Sequence, residues 1–582
     1  MAVCSKVIQD SLDLLPNEHG RTKVGFIGID SHMHYFSFDP ELQTQVVSDV
    51  LDEQSVPFAD NVMVNLLEKR EAVAAFLGKL PNVFKSTQKP STCLCAGLDA
   101  ANRILAANGG KVVCLLSTLG GLPEGNERAL KNREDPKARG KDANLLAPAT
   151  LFYKMIATEA SKNQVCFDMF VAPAASTPDN PLSIASGYVD VATLGSCTRY
   201  TGGRLEYYPG FNAAANGELA SKFASDLSAF LSHDVGMEAV IRVRATQGIT
   251  FNSFYGSFFL RSADLLALPN VNLDNSYTAV GTLDEALPVP FACVQTAVLY
   301  TSCKGERMIR VINTALPVAD NYRELFEAVD TNALMDVMGK MAADRLLKGG
   351  SGKYEDVRDW VMKQAVDTLT AYRTCLGMGS NPQLQLCDSL RPLPLLCLAL
   401  QKSGVLSPEP VPVDLRAARC LAMLQGSVED NVHMAAPYFA SIGDWLLSGG
   451  GNGGGGKEEE ESLPMPLPLS SEHLDRSGAF ILYDGSSMAI LLGTEAPAPL
   501  KQMFSPHVFT NGYALGMPAG ERAKSLIKRL ADMHAVHPLV VTIADNARER
   551  VLFTARLVED KGPMELPSYG NFLLTLREKS NQ

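Results

Sequence analysis

The sequence has no C-x-x-C pair among its 12 cysteines. The cysteine spacing that zinc ribbons and thioredoxin-type redox sites need is therefore missing. No apolar run reaches the roughly 18 residues of a membrane-spanning helix, and Lys6 and Asp10 interrupt the apolar start in a way that does not fit a signal peptide. These absences indicate a protein of the reducing cytosol whose scattered cysteines are buried free thiols.

Sequence motifs of common enzyme classes are also missing. Gly120–Gly125 lacks the Lys-Ser/Thr of a phosphate-binding loop, and neither G-x-S-x-G nor a strand-to-helix G-x-G-x-x-G occurs. His32 and His34 share one strand face without a third metal ligand, which favours surface histidines. His534 and His537 fit charge complementarity at a helix end. We therefore predict no enzyme activity, and no cofactor in this chain.

Acidic side chains outnumber basic ones, 64 against 52, which gives a formal charge of −12. This surplus argues against a mainly electrostatic nucleic-acid binder and leaves room only for a local basic face. With 46% hydrophobic residues, the 582-residue chain can bury several cores, and its length suggests about four domains.

Changes in residue pattern divide the chain into four regions. The first alternates helical and strand patterns, which predicts a parallel sheet covered on both faces. Closely spaced strands follow, then a helical stretch punctuated by prolines, then a small α/β unit. The predicted domains are 1–234, a β-sandwich at 235–320, a helical domain at 321–430 and an α/β unit at 431–582, with a disordered Gly- and Glu-rich insertion at 448–462.

Several short apolar runs are predicted as strands. Lys23–Asp30 and Val191–Leu194 have the composition of buried strands in the first region, and His32–Phe38 alternates like a half-exposed one. In the last region, Val551–Leu557 is predicted as a fourth strand after 479–483, 488–492 and 539–543.

Two charged motifs are not explained by a generic fold. The loop Leu130–Asp142 fits either a solvated connection or a partner contact. In Ala239–Arg244, strand alternation puts Arg242 and Arg244 on one face, while the neighbouring Val and Ile side chains point into the sandwich. Neighbouring guanidiniums repel unless an anion lies between them, and Arg forms forked hydrogen bonds with carboxylates. This pattern predicts either an acidic peptide ligand or acidic partners within the protein.

Several long segments of the sequence are specific in their wording and not only in their pattern. They include RTKVGFIGIDSHMHYFSF (21–38), PATLFYKMI (148–156), GGRLEYYPGF (202–211), GMEAVIRVRATQGITFNSFYGSFFLRSADLLALPNVN (236–272), TAVLYTSCKGERMIRV (296–311) and LVEDKGPMELPSYGNFLLTL (557–576). These segments resemble the cargo-adaptor subunits of the inner COPII vesicle coat. The resemblance implies a multidomain α/β plus all-β plus all-α fold, with a von Willebrand A-like trunk, a β-sandwich, a helical domain and a gelsolin-like domain.

The resemblance implies a non-enzymatic adaptor for transport from the endoplasmic reticulum to the Golgi. Such an adaptor binds the paralogous coat subunit through its trunk and holds the cytosolic tails of cargo and SNAREs. Its expected location is cytoplasmic, peripheral on the endoplasmic reticulum membrane and COPII vesicles, with indirect links to the coat's small GTPase and outer coat and no nucleic-acid partner. The alternative is the paralogous subunit itself, which stimulates that GTPase and shares the architecture.

The resemblance also assigns cargo-signal residues. Arg242 and Arg244 match paired arginines that read acidic sorting motifs, and Arg21 matches an arginine of a second site used for a folded SNARE. The family's low-complexity tail, four-cysteine zinc finger, and first trunk and sandwich strands have no counterpart in the sequence. The expectation is a family member without its N-terminal pieces, in which zinc is expected only if an upstream segment exists.

Overall fold

The structure is a computed structural model of the 582-residue chain. It forms two compact units, one of residues 1–318, 343–350 and 411–425, the other of residues 319–342, 351–410 and 426–582. The predicted insertion at 448–462 lies outside the described residues. The residues described are 1–48, 50, 56–58, 61–87, 90–134, 144–174, 187–349, 353–378, 385–447, 463–504, 513–534, 536–564 and 566–581.

Strands and helices alternate through the first 234 residues, as predicted. Aromatic and aliphatic side chains of α1, α6 and β7 pack together, with Phe170, Phe223 and Phe230 at the centre of the cluster. The elements are α1 (Ala2–Ser11), β1 (Lys23–Val24), β2 (Ile27–Ile29), β3 (Met33–Ser37), β4 (Gln43–Val47), β5 (Val64–Asn65), α2 (Leu66–Val83), α3 (Leu94–Leu105), β6 (Gly110–Leu116), α4 (Phe152–Lys162), β7 (Val165–Val171), α5 (Val191–Thr201), β8 (Leu205–Tyr207) and α6 (Gly217–Ser232).

The parallel arrangement predicted for this region holds only for part of it. Strands β6, β7 and β8 are parallel, and β7 is buried along its whole length. Strands β2, β3 and β4 instead form a separate antiparallel sheet. Residues 30–32 alone join β2 to β3, and a parallel crossover needs a much longer connection. Strand β3 is also mostly buried, contrary to the half-exposed strand predicted.

The strand predicted at Val191–Leu194 is wrong, because these residues begin α5. Asp190 caps the helix with a left-handed backbone (φ 63°), and its side chain accepts from the Thr193 N–H. All residues from 191 to 198 are buried, so the run has no charged side chain on any side to mark a helical period. A helix that is buried on all sides can therefore have the sequence pattern of a buried strand.

Residues 235–317 form two antiparallel sheets, as predicted for a sandwich. The larger has the order β11-β12-β9-β14-β15, and the smaller pairs β10 with β13. Ile241, Leu266 and Leu268 lie at the core, with Phe254 of the smaller sheet packed against them. The strands are β9 (Val235–Ala245), β10 (Ile249–Tyr255), β11 (Phe259–Ser262), β12 (Leu265–Asn272), β13 (Thr278–Leu283), β14 (Phe291–Thr301) and β15 (Arg307–Pro317).

Helices predominate from residue 322 to residue 435, as the sequence predicts. Helix α9 buries one side at near-helical spacing, from Val357 through Val361, Ala365 and Leu369. The helices are α7 (Tyr322–Glu327), α8 (Thr331–Lys348), α9 (Tyr354–Cys375), α10 (Leu393–Lys402), α11 (Val413–Gln425) and α12 (Val428–Ala435). Helix α11 and the last residues of α8 belong to the first unit. There Asp414 of α11 accepts hydrogen bonds from the backbone N–H groups of Val189 and Val191, at 2.7 and 2.8 Å.

The rest of the second unit is built around a five-stranded mixed sheet with the order β16-β17-β18-β20-β19. Strands β18 and β20 are parallel, and the other neighbours are antiparallel. The elements are β16 (Tyr438–Ser441), α13 (Gly443–Leu447), β17 (Ala479–Tyr483), β18 (Ser487–Leu492), α14 (Ala498–Phe504), β19 (Tyr513–Leu515), α15 (Glu521–Ala531), β20 (Leu539–Ala544), α16 (Val551–Thr554) and α17 (Tyr569–Ser580).

The strand predicted at Val551–Leu557 is wrong, because its first half is the helical turn α16. Val551 and Leu552 are exposed, whereas Phe553 and Leu557 are buried. The short strands β16 and β19 occupy the edges of the sheet instead. None of the helices in the described part of the chain is both long and apolar enough to cross a membrane.

Candidate functional site

Arg242 and Arg244 lie on β9, the central strand of the larger sandwich sheet. Both side chains are exposed, whereas the preceding residue, Ile241, is buried in the sandwich core. Alternation along the strand therefore puts the two guanidiniums on one face, about 7 Å apart at their Cα atoms. The same-face geometry predicted from the sequence is present.

Arg242 already has an acidic partner within the protein. Its Nε donates to Asp264 Oδ2 at 2.6 Å, and this hydrogen bond lowers the pKa of Asp264. Leu265, the residue after Asp264, pairs with Arg242 across the β12–β9 ladder, which brings the carboxylate to the guanidinium. The sequence left open an acidic peptide ligand or an acidic partner within the protein, and Arg242 has the second, the carboxylate of Asp264. The sequence held no signal for this contact, because it depends on the register of two strands.

Arg244 has a different environment. Gln295 lies opposite it on β14, and Asn313 lies opposite Gln295 on β15. Gln295 Nε2 donates to Asn313 Oδ1 at 3.0 Å. Among the described residues, no carboxylate forms an ion pair with Arg244. This guanidinium is therefore the one whose charge is left for an external anion.

The next row of the same face is smaller and apolar. Ala297 of β14 lies opposite Arg242, and Val311 of β15 lies opposite Ala297. The face thus places two guanidiniums and two side-chain amides beside the apolar side chains of Ala297 and Val311. Such a surface can bind an extended peptide that carries a carboxylate next to an apolar residue.

Arg21 lies in the loop before β1, away from the arginine pair. Its Nη2 donates to the backbone carbonyl of Lys304 at 2.6 Å, in the turn between β14 and β15. Gly305 has a positive φ of 82°, and a Cβ there would stand 2.6 Å from Arg21 Nη2. Lys304 in turn pairs with Glu18 at 2.8 Å. Arg21 therefore joins a loop of the first region to the tip of the hairpin.

The structure does not bring Arg21 together with Arg242. Arg242 lies opposite Ala297, and the hairpin runs four more residues to Thr301 before its turn begins. Four residues of strand span about 13 Å. The predicted site residues therefore form two separate places on the first unit.

The charged loop Leu130–Asp142 is described only up to Glu134. Arg133 Nη2 donates to the fully buried Asp190 at 2.6 Å, and Glu134 accepts from the Val413 N–H at 3.2 Å. Both side chains form hydrogen bonds within the first unit. Neither predicted alternative, a solvated connection or a contact with a partner protein, describes these two side chains.

The prediction of surface histidines fails at His34. Its side chain is only 14% exposed, its Nε2 lies 3.1 Å from Asp30 Oδ1, and its ring packs on Phe84. The helix-end interpretation of His534 is also wrong, because α15 ends at Ala531. The His534 side chain is 2% exposed, its Nδ1 bonds Asp430, and its Nε2 lies 3.1 Å from His433 Nδ1.

The cysteines follow the sequence prediction only in part. The thiols of six cysteines are buried as predicted, but Cys293 and Cys375 are exposed. Within the described residues, His, Cys, Asp and Glu side chains nowhere form a group of three or more suited to a metal ion.

Together these features define a multidomain scaffold with two exposed arginines on one face of a sandwich sheet. The matches to known domain families agree with the order of the regions. Residues 1–231 match the Sec23/Sec24 trunk domain, residues 236–319 the Sec23/Sec24 beta-sandwich domain, and residues 330–433 the Sec23/Sec24 helical domain.

Individual proteins give the same result. The chain is 38% identical over 509 residues to the protein transport protein SEC24 of Neosartorya fischeri, covering 85% of this chain and 53% of that one. The SEC24 of Podospora anserina is 35% identical over 605 residues, covering 100% and 62%. The crystal structure of the human COPII-coat protein Sec24c superposes with a TM-score of 0.86 at 27% identity, covering 100% of this chain and 75% of that one.

The chain therefore belongs to the Sec23/Sec24 family, and the relatives it matches are Sec24 proteins. It spans about half the length of the first of these curated relatives. The fold class predicted from the sequence, with trunk, sandwich and helical domains, is confirmed.

Proposed function

We propose that this chain is a non-enzymatic cargo adaptor of the COPII coat that binds acidic sorting signals at Arg242 and Arg244. The exposed pair of arginines on β9, with Arg244 left without a described carboxylate partner, is the observation that carries the binding site. The family membership and the match to Sec24 proteins support the adaptor role.

Recognition by this face would follow from charge and strand geometry. A carboxylate of the signal would accept forked hydrogen bonds from Arg244, because no described carboxylate pairs with this guanidinium. Arg242 would contribute less, because Asp264 already accepts from it. A neighbouring apolar side chain of the signal would rest on Ala297 and Val311. Such a shallow contact is weak alone, and an assembled coat would strengthen it by avidity.

The proposal includes the partners and location that the family implies. The chain would bind the paralogous coat subunit through residues 1–234, hold tails of cargo and SNAREs, and lie in the cytoplasm against the endoplasmic reticulum membrane and COPII vesicles. Links to the small GTPase and the outer coat would be indirect. The remaining domain assignments, including a gelsolin-like domain at 431–582, are part of the same proposal.

Direct titration of a labelled peptide with an acidic sorting motif tests the site. We expect Arg242→Ala combined with Arg244→Ala to weaken binding at least about tenfold, as the loss of charge-assisted hydrogen bonds predicts. Arg310→Ala is the matched control. Arg310 is also an exposed arginine of this sheet, but it lies on the same face as Ile241, which is opposite to the face of Arg242 and Arg244. Equal weakening by both variants, or by neither, would contradict the assignment.

The adaptor role has a separate test. A GTP-hydrolysis assay with the coat's small GTPase should show no strong stimulation when this chain is added alone. Strong stimulation would favour the paralogous subunit and overturn the adaptor proposal, while leaving the peptide titration as an independent result.

A further inference from the structure

Two histidines from distant parts of the sequence lie ring to ring inside the second unit. His433 belongs to α12 and is half-buried, whereas His534 follows α15 and its side chain is 2% exposed. The Nδ1 atom of His433 lies 3.1 Å from the Nε2 atom of His534, and the ring centroids are 5.2 Å apart. Two ring nitrogens are thus held at short range in a mostly buried place.

Asp430 fixes which nitrogen of His534 faces the other ring with a lone pair. Its carboxylate bonds His534 Nδ1, and an ionised carboxylate can only accept, so Nδ1 carries the ring proton. Asp430 also accepts from the backbone N–H of Ser427 at 2.9 Å, which holds the carboxylate in place. The Nε2 atom of His534 therefore presents its lone pair to His433. A carboxylate behind the second nitrogen is the usual support of a metal-binding histidine, because it fixes the tautomer and orients the ring.

We propose that His433 Nδ1 and His534 Nε2 bind a divalent transition-metal ion of the Zn²⁺ type. Two metal–nitrogen bonds of about 2.0–2.1 Å, at a bond angle of about 90–109°, place their nitrogens about 2.9–3.4 Å apart. The observed 3.1 Å lies in this range. The ion would replace the hydrogen bond between the rings, and neutral His433 would carry its proton on Nε2 instead of Nδ1. The rings would need to tilt, but not to move apart.

Glu429 and water would complete the coordination. Glu429 precedes His433 by one turn of α12, so the two side chains lie on the same side of the helix, and the negative charge of Glu429 acts on His433. Glu429 is exposed, so its side chain is free to turn toward the ion. Two histidines, one carboxylate and one water form an open site of the kind that Zn²⁺ occupies in proteins.

The charges around the rings also suit a cation. Asp430 and Glu429 both act on His433 with negative charge. Lys340, which feels the charge of Asp430, is fully buried and pairs with Asp336 at 3.3 Å. The ammonium group is thus offset by its own carboxylate partner, and two negative charges remain for the ion. An anion would find no such compensation from these groups.

A bound ion would join α12 to the chain after α15, across 101 positions of sequence. Because no such connection exists in the unfolded chain, binding would stabilise the second unit. The inference does not rest on the cargo-adaptor proposal, because it concerns other residues and a different kind of ligand.

Titration of the purified full chain with Co²⁺, a spectroscopic substitute for Zn²⁺, tests the nature of the ligands. Cys293→Ser and Cys375→Ser in every sample remove the exposed thiols. We expect one bound ion per chain, with the visible absorption of nitrogen and oxygen ligands and without a thiolate charge-transfer band. A thiolate band as the main signal would overturn the proposal.

Equilibrium dialysis with Zn²⁺ tests the residues. His433→Asn should weaken binding at least about tenfold, and Asp430→Asn by about 10–100-fold, as expected when the carboxylate behind a metal ligand is lost. His473→Asn replaces an exposed histidine of the same unit and is the matched control, which should bind as the unaltered chain does. No bound ion, binding that survives His433→Asn, or an equal loss in His473→Asn would leave the pair as a hydrogen bond only.

Stability gives a readout that does not depend on counting ions. Trp360 and Trp445 both belong to the second unit, so their fluorescence follows its unfolding in urea. Added Zn²⁺ should move this transition to higher urea for the unaltered chain and leave it in place for His433→Asn. Half-buried His433 carries the test, since replacing the buried His534 would disturb packing as well as binding, and circular dichroism without metal checks that each variant is folded. An equal shift in both proteins would contradict the assignment.

Discussion

The two five-stranded sheets of this chain contrast sharply in burial. In the second unit, β17 and β18 are buried along almost their whole length, and their side chains join a core with Leu500, Leu526 and Ile527 from the flanking helices. In the first unit, β15 is exposed at every residue. All three strands contain Ile and Leu, so the presence of apolar residues does not explain the difference.

The difference lies in what covers each sheet. Helices α14 and α15 pack on the sheet of the second unit. In the sandwich, the described cover is the two-stranded β10–β13 sheet, which packs Phe254 against the middle strands and leaves β15 outside the core. An apolar strand is therefore evidence of a core only when enough other elements are present to cover it.

The largest expected effect compares one isoleucine from each sheet. Ile490→Ala removes a fully buried side chain and should lower the free energy of unfolding of the second unit by about 2–5 kcal/mol. Ile312→Ala trims a half-exposed side chain and should cost less than about 1 kcal/mol.

The two tryptophans make the measurement selective, because Trp360 and Trp445 both belong to the second unit. Urea unfolding followed by tryptophan fluorescence should shift for Ile490→Ala and remain in place for Ile312→Ala, with calorimetry to follow the whole chain. Equal shifts would show that the two sheets do not differ in the way their burial indicates.

The second prediction concerns pH and the second unit only. Burial, followed by the neighbouring His534, lowers the pKa of His433. The unfolded chain therefore takes up this proton at a higher pH than the folded one, and stability falls as the pH drops through the ordinary pKa of histidine, about 6.5.

Tryptophan-detected urea unfolding at pH 7.5 and at pH 5.5 measures this loss. His433→Asn can keep a hydrogen-bond donor near His534 but does not titrate, so it should reduce the difference between the two pH values. An unchanged difference in this variant would assign the pH dependence to other groups.

A smaller effect is expected at the arginine face. Asp264→Ala removes the internal acceptor of Arg242 and frees its guanidinium for a ligand. Affinity for an acidic peptide should rise by about two- to fivefold, within the modest range of an exposed ion pair. Asp284→Ala is the control. It removes an exposed carboxylate directly after β13 of the smaller sheet and should leave the affinity unchanged. Peptide titration checks both variants, and a fall in affinity for Asp264→Ala would mean that Asp264 positions Arg242 for binding.

The smallest expected effect is at the tip of the β14–β15 hairpin. Arg21→Ala removes the exposed hydrogen bond to the Lys304 carbonyl and should destabilise the first unit by less than about 1 kcal/mol. Arg21→Lys can still reach this carbonyl and should lose less. Calorimetry measures both variants, and a large loss for Arg21→Ala would show that this loop supports the sandwich more than its exposure indicates.

Local sequence patterns determined a large part of this protein. The period of two in a strand suffices to place Arg242 and Arg244 on one face, because alternation needs no knowledge of neighbouring strands. The side of α9 that is buried, the order of helices and strands, and the family resemblance could likewise be read from contiguous residues.

Tertiary structure decided the features that depend on distant residues. Asp264 reaches Arg242 only through the β12–β9 register, and His534 meets Asp430 across 104 positions of sequence. Val191–Leu194 lies in a helix that the sequence does not reveal, because a helix buried on all sides carries no charged face. The exposure of β15 depends on how much of its sheet the other elements cover. Such contacts join segments far apart in the chain, so no local pattern encodes them, and the folded structure alone fixes which of the two arginines has a carboxylate partner among the described residues.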